Sequence, residues 1–282
     1  MSVLLGVNAF PARGDGGRRQ AEALAAWRGI SGVQLANLQW ADDAYEVDGF
    51  ETVPALTSDS RTATGLSGRR LPLVSECFDR LAELARRRGL RWFAYANSDI
   101  AYTQAAVGRI VDGGRQGYAF CRMDFDPQTG EEVEMVTAGV DAFAIDAGWW
   151  RANRHRFRPY IGGEPIWDNV YAAILLAHGD AELVHRAPLV RHERHPAGDW
   201  RGSAYAPYLH YLAALDRPYF TLWATWHHRL LELRARGSTE AEEMDLQREV
   251  FGRRPSVLDR AVQAARAARA KARWLTRGRT AA

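Results

Sequence analysis

The chain is poor in several things, and each shortage removes a class of protein. It has two cysteines in 282 residues, Cys77 and Cys121. Both stand among apolar neighbours and read as buried thiols of a reducing compartment, not as a disulfide framework or a zinc site. No apolar run reaches the roughly 20 residues that a membrane-crossing helix needs. The stretch Met1-Ser2-Val3-Leu4-Leu5-Gly6-Val7 has no basic segment ahead of its apolar one, so no secretory leader is expected and the protein reads as cytosolic. A Gly-x-Ser-x-Gly elbow is missing, which argues against an α/β hydrolase. A Gly-x4-Gly-Lys-Ser/Thr loop is missing too, which argues against a P-loop enzyme. Charge is nearly balanced, with 37 basic and 34 acidic residues for a net +3, so its placement matters more than its size. No nucleic-acid-binding module and no internal repeat are visible.

What the chain has in quantity is core-forming material. Hydrophobic residues make up 47% of it, with ten each of Trp, Tyr and Phe, enough for one large α/β domain with a helical appendage. Residues 3–7 read as a strand buried on both faces. The Gly- and Arg-rich stretch 12–19 reads as a flexible solvated loop, 20–28 as a helix and 33–38 as a second strand. Residues 42–68 are turn-rich around a short third strand at 53–56. Val74, Cys77, Phe78, Leu81, Leu84 and Ala85 recur at helical spacing, ahead of the strand that begins near Arg91. Residues 103–111 predict a helix, 117–123 and 132–136 a hairpin, 141–146 another buried strand, and 182–185 a last one. From about residue 207 the chain reads as helical. The alternation of strand and helix predicts a mostly parallel sheet covered by helices.

The most informative stretch is Arg91-Trp92-Phe93-Ala94-Tyr95-Ala96-Asn97-Ser98-Asp99-Ile100. An apolar and aromatic strand stops at three small polar residues. In open α/β sheets, ligands bind outside the carboxyl ends of the strands. A carboxylate there has little packing to offer but can hold a hard cation, which in turn holds a diphosphate. The same tripeptide could instead cap the helix that follows.

Three further patterns fall in order along the chain: Gly139-Val140-Asp141-Ala142-Phe143, Trp167-Asp168-Asn169, and the cluster His185, His192, His195 with Trp200 downstream. Together with Asn97-Ser98-Asp99-Ile100, the Gln20, Ala23, Trp27 pattern and Asn37 at the end of the second strand, the chain resembles the GT-A class of nucleotide-sugar-dependent glycosyltransferases. More narrowly it is similar to a bacterial, family-2-like group with Asn-Ser-Asp-Ile and Trp-Asp-Asn motifs, over roughly residues 3–200. The resemblance implies a Rossmann-like GT-A domain, residues 1–206, followed by a helical extension, residues 207–282. It implies transfer of a sugar from a nucleotide-diphosphate donor, UDP by default, to a hydroxyl of a carbohydrate or glycolipid acceptor in bacterial polysaccharide or glycoconjugate synthesis. It implies Mn²⁺ or Mg²⁺ held by Asp99 with His192 or His195. Asn97 stands where the first acid of the usual Asp-x-Asp pair would be, so Asp99 has to do more of the work. Asp168 is the expected catalytic base, with Glu164 second. Asn8, Phe10, Asn37, Asn97, Ser98 and Asp141 are expected around the donor, and Trp149, Trp150 and Trp167 around an acceptor sugar.

The chemistry suits these residue types. A sugar hydroxyl is a poor nucleophile and needs a carboxylate to take its proton. A departing diphosphate develops charge that a cation or basic side chains must neutralise. Plainer readings stand beside each assignment. Asp168-Asn169 could be an N-cap for a helix beginning at Val170. Asp141 and Asp146 could only pair with arginine or backbone amides, and the tryptophans could be core. The stretch 253–279 holds nine basic residues against the single acid Asp259. It reads as a solvated Ala/Arg helix or as a peripheral contact with anionic lipid. The rival to an enzyme is a non-catalytic nucleotide- or carbohydrate-binding protein on the same fold, with a decayed cation site.

Overall fold

The computed structural model describes residues 2–195 and 202–252 and, beyond them, residues 265, 268, 269, 271 and 272. The chain opens with β1 (Val3–Val7), α1 (Gly14–Arg28), β2 (Val33–Trp40) and β3 (Glu51–Leu56). A short α2 (Ser60–Thr64) and α3 (Val74–Arg87) lead to β4 (Trp92–Ala96), β5 (Ile100–Tyr102) and α4 (Gln104–Asp112). The hairpin of β6 (Gly117–Phe125) and β7 (Glu132–Asp146) follows, then α5 (Ala147–Asn153), α6 (Trp167–His178), β8 (Ala181–Val184) and β9 (Val190–Glu193). Next come α7 (Ala206–Leu215), α8 (Arg217–Ala235) and α9 (Glu240–Phe251).

Among the described residues, nine strands form one sheet in the order β3-β2-β1-β4-β7-β6-β9-β5, with β8 also on β6. β3, β2, β1 and β4 pair in parallel, as do β8 and β9 with β6. β7 is antiparallel to β4 and β6, and β5 to β9. The expected α/β class with a mostly parallel sheet is the one observed. Side chains alternate between two faces along each strand, and both faces are covered. Leu4, Phe93, Tyr95, Phe143 and Ile145 enter a core shared with α3, α5 and α6. Val3, Leu5, Val7, Trp92, Ala94 and Ala142 enter a second core with Leu24 and Trp27 of α1 and Val107 and Ile110 of α4. Phe78 of α3 sits at the centre of the first core, its ring within 6 Å of those of Phe93, Tyr95, Phe143, Trp150 and Tyr171. A Cβ at position 6 would lie 2.2 Å from Leu81 Cδ2, so any larger residue there would have to displace that side chain. That contact brings α3 hard against β1.

The structure corrects several sequence expectations. Most of the stretch 12–19 is the opening of α1, not a solvated loop. Arg18 on this helix makes a two-pronged ion pair with the buried Glu193 of β9. The strand expected at 141–146 is the far end of the hairpin's long return strand β7. β8 matches the expected last strand, but β9 follows it. Helix α6 begins at Trp167, so Asp168 lies inside the first turn and does not cap a helix starting at Val170. The helical C-terminal extension is present as α7, α8 and α9. Its Trp223, Trp226, Leu230, Leu246 and Phe251 belong to the same core as Tyr171 and Ile174 of α6. No helix among the described residues is long and apolar enough to cross a membrane. Trp200 and most of the basic stretch 253–279 lie outside the described residues.

Candidate active site

β4 is buried through Ala96, and the chain then turns, with Ile100 N donating to Asn97 O at 3.1 Å. The turn leads into β5, not into a helix. α4 starts only at Gln104, and its cap is Thr103, whose Oγ1 accepts from Ala106 N at 3.2 Å. Asn97-Ser98-Asp99 therefore caps nothing, and the Asp99 carboxylate is left for other work.

That carboxylate meets two imidazoles. Asp99 Oδ2 lies 3.7 Å from Nε2 of His192 and 3.7 Å from Nε2 of His195. The two Nε2 atoms are 3.1 Å apart. One donor atom from each of the three residues falls within 4.8 Å of the others. Donors around a first-row cation at about 2.1 Å stand roughly 3–4 Å from one another, so the arrangement fits such an ion. The electrostatics agree. Burial opposes charge on Asp99, but the two imidazoles outweigh it and hold the carboxyl well below its usual range. Burial likewise opposes charge on His192, yet Asp124 and Asp99 outweigh it and raise its pKa to about 9. Positive charge is favoured at this point whether a proton or a metal supplies it.

Beside this cluster opens a cavity of about 780 Å³. Its walls include Asn8 and Phe10 beyond β1, Asn97, Ser98 and Asp99 beyond β4, and Glu164, Trp167 and Asp168 at the start of α6. It thus lies outside the carboxyl ends of parallel strands, where open α/β sheets hold their ligands. Ile166, just before Asp168, has φ of 86°, and it alone among the described non-glycine residues has positive φ. A β-branched residue there is strained, by about 1–3 kcal/mol, and such strain collects at functional turns. Asp168 Oδ2 accepts weakly from Val140 N at 3.4 Å. Burial and then the negative charge of Asp141 push its carboxyl up to about 7. Asp141 is itself held, with Arg122 Nη1 donating to it at 2.7 Å and Asn97 Nδ2 at 3.0 Å. Glu164 accepts from Ser203 Oγ at 2.9 Å, which ties the start of α6 to the segment entering α7.

Not every expected residue reaches the cavity. Asn37 is fully buried, and its amide accepts from Ala9 N at 3.0 Å and donates to Tyr45 O at 2.6 Å. It fixes the ends of β1 and β2 and offers a ligand nothing. Trp149 and Trp150 are core residues: Trp150 Nε1 donates to Asp79 and its ring packs on Phe157. Of the three tryptophans expected at an acceptor, Trp167 alone lines the cavity, and it is 2% exposed. Arg122 and Asp124 of β6 were not anticipated. Both bear on the site from a strand that, read alone, offers only an unremarkable Arg-x-Asp.

The structure superposes on residues 1–349 of TarS from S. aureus in complex with UDP-GlcNAc, with a TM-score of 0.50 and 9% identity, over 89% of this chain and 72% of that one. A second structure of TarS 1–349 gives a TM-score of 0.44 at 9% identity, over 77% and 65% of the two chains. No protein-family model matches the sequence, and no curated protein aligns with it.

Proposed function

We propose that this protein is a metal-dependent glycosyltransferase that moves a sugar from a nucleotide-diphosphate donor to an acceptor hydroxyl, and that the donor is a UDP-sugar. The observation that carries the reading is the meeting of Asp99, His192 and His195 beside a cavity that also holds the up-shifted Asp168. A UDP-sugar complex of a protein with the same fold supports the donor class.

Asp99, His192 and His195 would hold a divalent cation. Two imidazoles suit Mn²⁺ better than Mg²⁺, which prefers oxygen alone. The bound ion would neutralise charge on the donor diphosphate. Asp168, ionised, would accept the proton of the acceptor hydroxyl. The acceptor oxygen forms its bond to the anomeric carbon as the bond from that carbon to the diphosphate oxygen breaks, and the electron pair leaves with the nucleotide. Asp141, fixed by Arg122 and Asn97, stands by to hold Asp168 near the working pH. Asn8, Phe10, Asn97 and Ser98 would face the donor. Trp167 and Glu164 would face the acceptor, a carbohydrate or glycolipid.

Donor turnover in variants tests this reading. Asp99→Ala should abolish it. Asp168→Asn should cut kcat by about 10²–10⁴-fold, the usual worth of a general base, with little change in donor binding. Full activity in both variants would end the proposal.

A further inference from the structure

Asp124 takes no part in the proposed reaction, yet it is buried and its carboxylate meets His192 on the side away from Asp99 and His195. The sheet register explains how it arrives there. Asp124 of β6 pairs directly with His192 of β9, and His192 pairs with Ile100 of β5, the residue after Asp99. Directly paired residues on neighbouring strands present side chains on the same face. Asp124 and His192 therefore stand side by side. The Asp124 side chain is 11% exposed, and its Oδ1 lies 2.9 Å from His192 Nδ1. The same oxygen accepts from Arg122 Nε at 3.0 Å, and the other arm of that guanidinium is spent on Asp141.

We propose that Asp124 is the positioning residue of the cation site. It fixes His192 through Nδ1, so that Nε2 is the nitrogen that gives up its proton and turns its lone pair to a metal when one binds. The inference rests on the cation reading of Asp99, His192 and His195. An ionised carboxylate only accepts hydrogen bonds, so the nitrogen facing it must carry the proton. A cation that binds His192 displaces the proton from the other nitrogen, which then carries the lone pair. That nitrogen is Nε2, and it faces His195 and Asp99. Arg122 restrains Asp124 in turn and keeps it from swinging toward the ion as a fourth ligand. Outer carboxylates of this kind orient the ligand ring, and their loss weakens metal binding about 10–100-fold. A carboxylate present only to pair with Arg122 would have no such effect.

The test is a calorimetric titration of Mn²⁺ into the full chain without nucleotide, for the wild type, Asp124→Ala, Asp124→Asn and Asp99→Ala. The wild type should show one site that Asp99→Ala removes. Asp124→Ala should weaken it about 10–100-fold. Asp124→Asn should weaken it less, because the amide oxygen still accepts from Nδ1–H. If Asp124→Ala binds Mn²⁺ as tightly as the wild type while Asp99→Ala does not, Asp124 is only a partner of Arg122 and the proposal falls alone. If the wild type has no Mn²⁺ site, or Asp99→Ala leaves it intact, the cation reading falls and takes the proposal with it. Should Asp124→Ala fail to fold, ¹⁵N-histidine spectra of the Zn²⁺-loaded wild type decide. His192 should show Nδ1 protonated and Nε2 bound to metal; the reverse assignment would overturn the inference.

Discussion

Asp168 is the residue whose environment most directly predicts behaviour. Burial and Asp141 raise its carboxyl to about 7, so a base at that position becomes available as pH rises through neutrality. The kcat/KM profile should rise with pH through a midpoint near 7, since that profile reports the free enzyme's essential base. A flat profile between about pH 6 and 8 would remove Asp168 from the role. The same shift bears on stability. The unfolded carboxyl ionises near 3.9, while the folded one keeps its proton until about 7. The native state therefore binds more protons between these values, and stability falls as pH rises through that window. Asp168→Asn removes the penalty. It should melt higher than the wild type at pH 8 and lose that advantage below about pH 4, as thermal unfolding at the two pH values will show. At this scale the sequence disclosed what is local. A strand that ends in Asn-Ser-Asp and two histidines three apart are visible as patterns. Asp124 was not, because its link to His192 spans 68 residues and exists only through the register of β6 and β9. Trp149 and Trp150 were misplaced for another reason: an aromatic side chain suits a core and a sugar site equally well.

Among the elements, β9 carries His192 and leads directly to His195, and it is short, with three polar residues in four, Val-Arg-His-Glu. Nothing in its sequence announces a strand. It is held by pairing with β5 and β6 and by the grip of Arg18 on Glu193. The Glu193 side chain is 7% exposed, so removing the arginine leaves a buried carboxylate without its cation. Arg18→Ala should lower the midpoint of denaturant unfolding. The double variant Arg18→Ala/Glu193→Gln should recover part of that loss, because the stranded charge is gone. Equal stability of Arg18→Ala and the wild type would show that the pair does not anchor β9. The same contact explains why the stretch 12–19 was misread. Its glycines suggest a loop, while Arg18 has a partner far along the chain that gives the helix a reason to start early. The long buried strands and α3 were legible because their apolar spacing continues for several residues.

At the scale of the molecule, the C-terminal helices share the core of the sheet. Trp223 and Trp226 of α8 and Phe251 of α9 pack in the same cluster as α6, the helix that carries Asp168 in its first turn. Two buried acids tie the layers together. Asp216 accepts from Arg158 Nε at 2.8 Å and Tyr160 OH at 3.2 Å. Glu243, fully buried, binds His185, Arg186, Arg234 and Ser238. A chain cut at residue 206 would expose that face of α6 and leave Arg158, His185 and Arg186 without these partners. Such a fragment should lack a cooperative thermal transition, whereas a fragment that melts sharply near the full-length temperature would show that 1–206 folds alone. The helical extension was legible as helix from its composition. Its burial against the site-bearing helix was not, because tertiary packing across the chain leaves no local pattern.

The central claim is that a cation at Asp99, His192 and His195 brings a nucleotide diphosphate to the cavity. Thermal shift with UDP, in the presence and absence of Mn²⁺, tests it most directly, since a ligand at about 100 times its Kd stabilises the native state by about 2.7 kcal/mol. The account predicts that UDP raises the melting temperature of the wild type by several degrees with Mn²⁺ present, and that Asp99→Ala loses the rise. Stabilisation by UDP that is the same without Mn²⁺ and survives in Asp99→Ala, or no response to any nucleoside diphosphate at millimolar concentration, would contradict it.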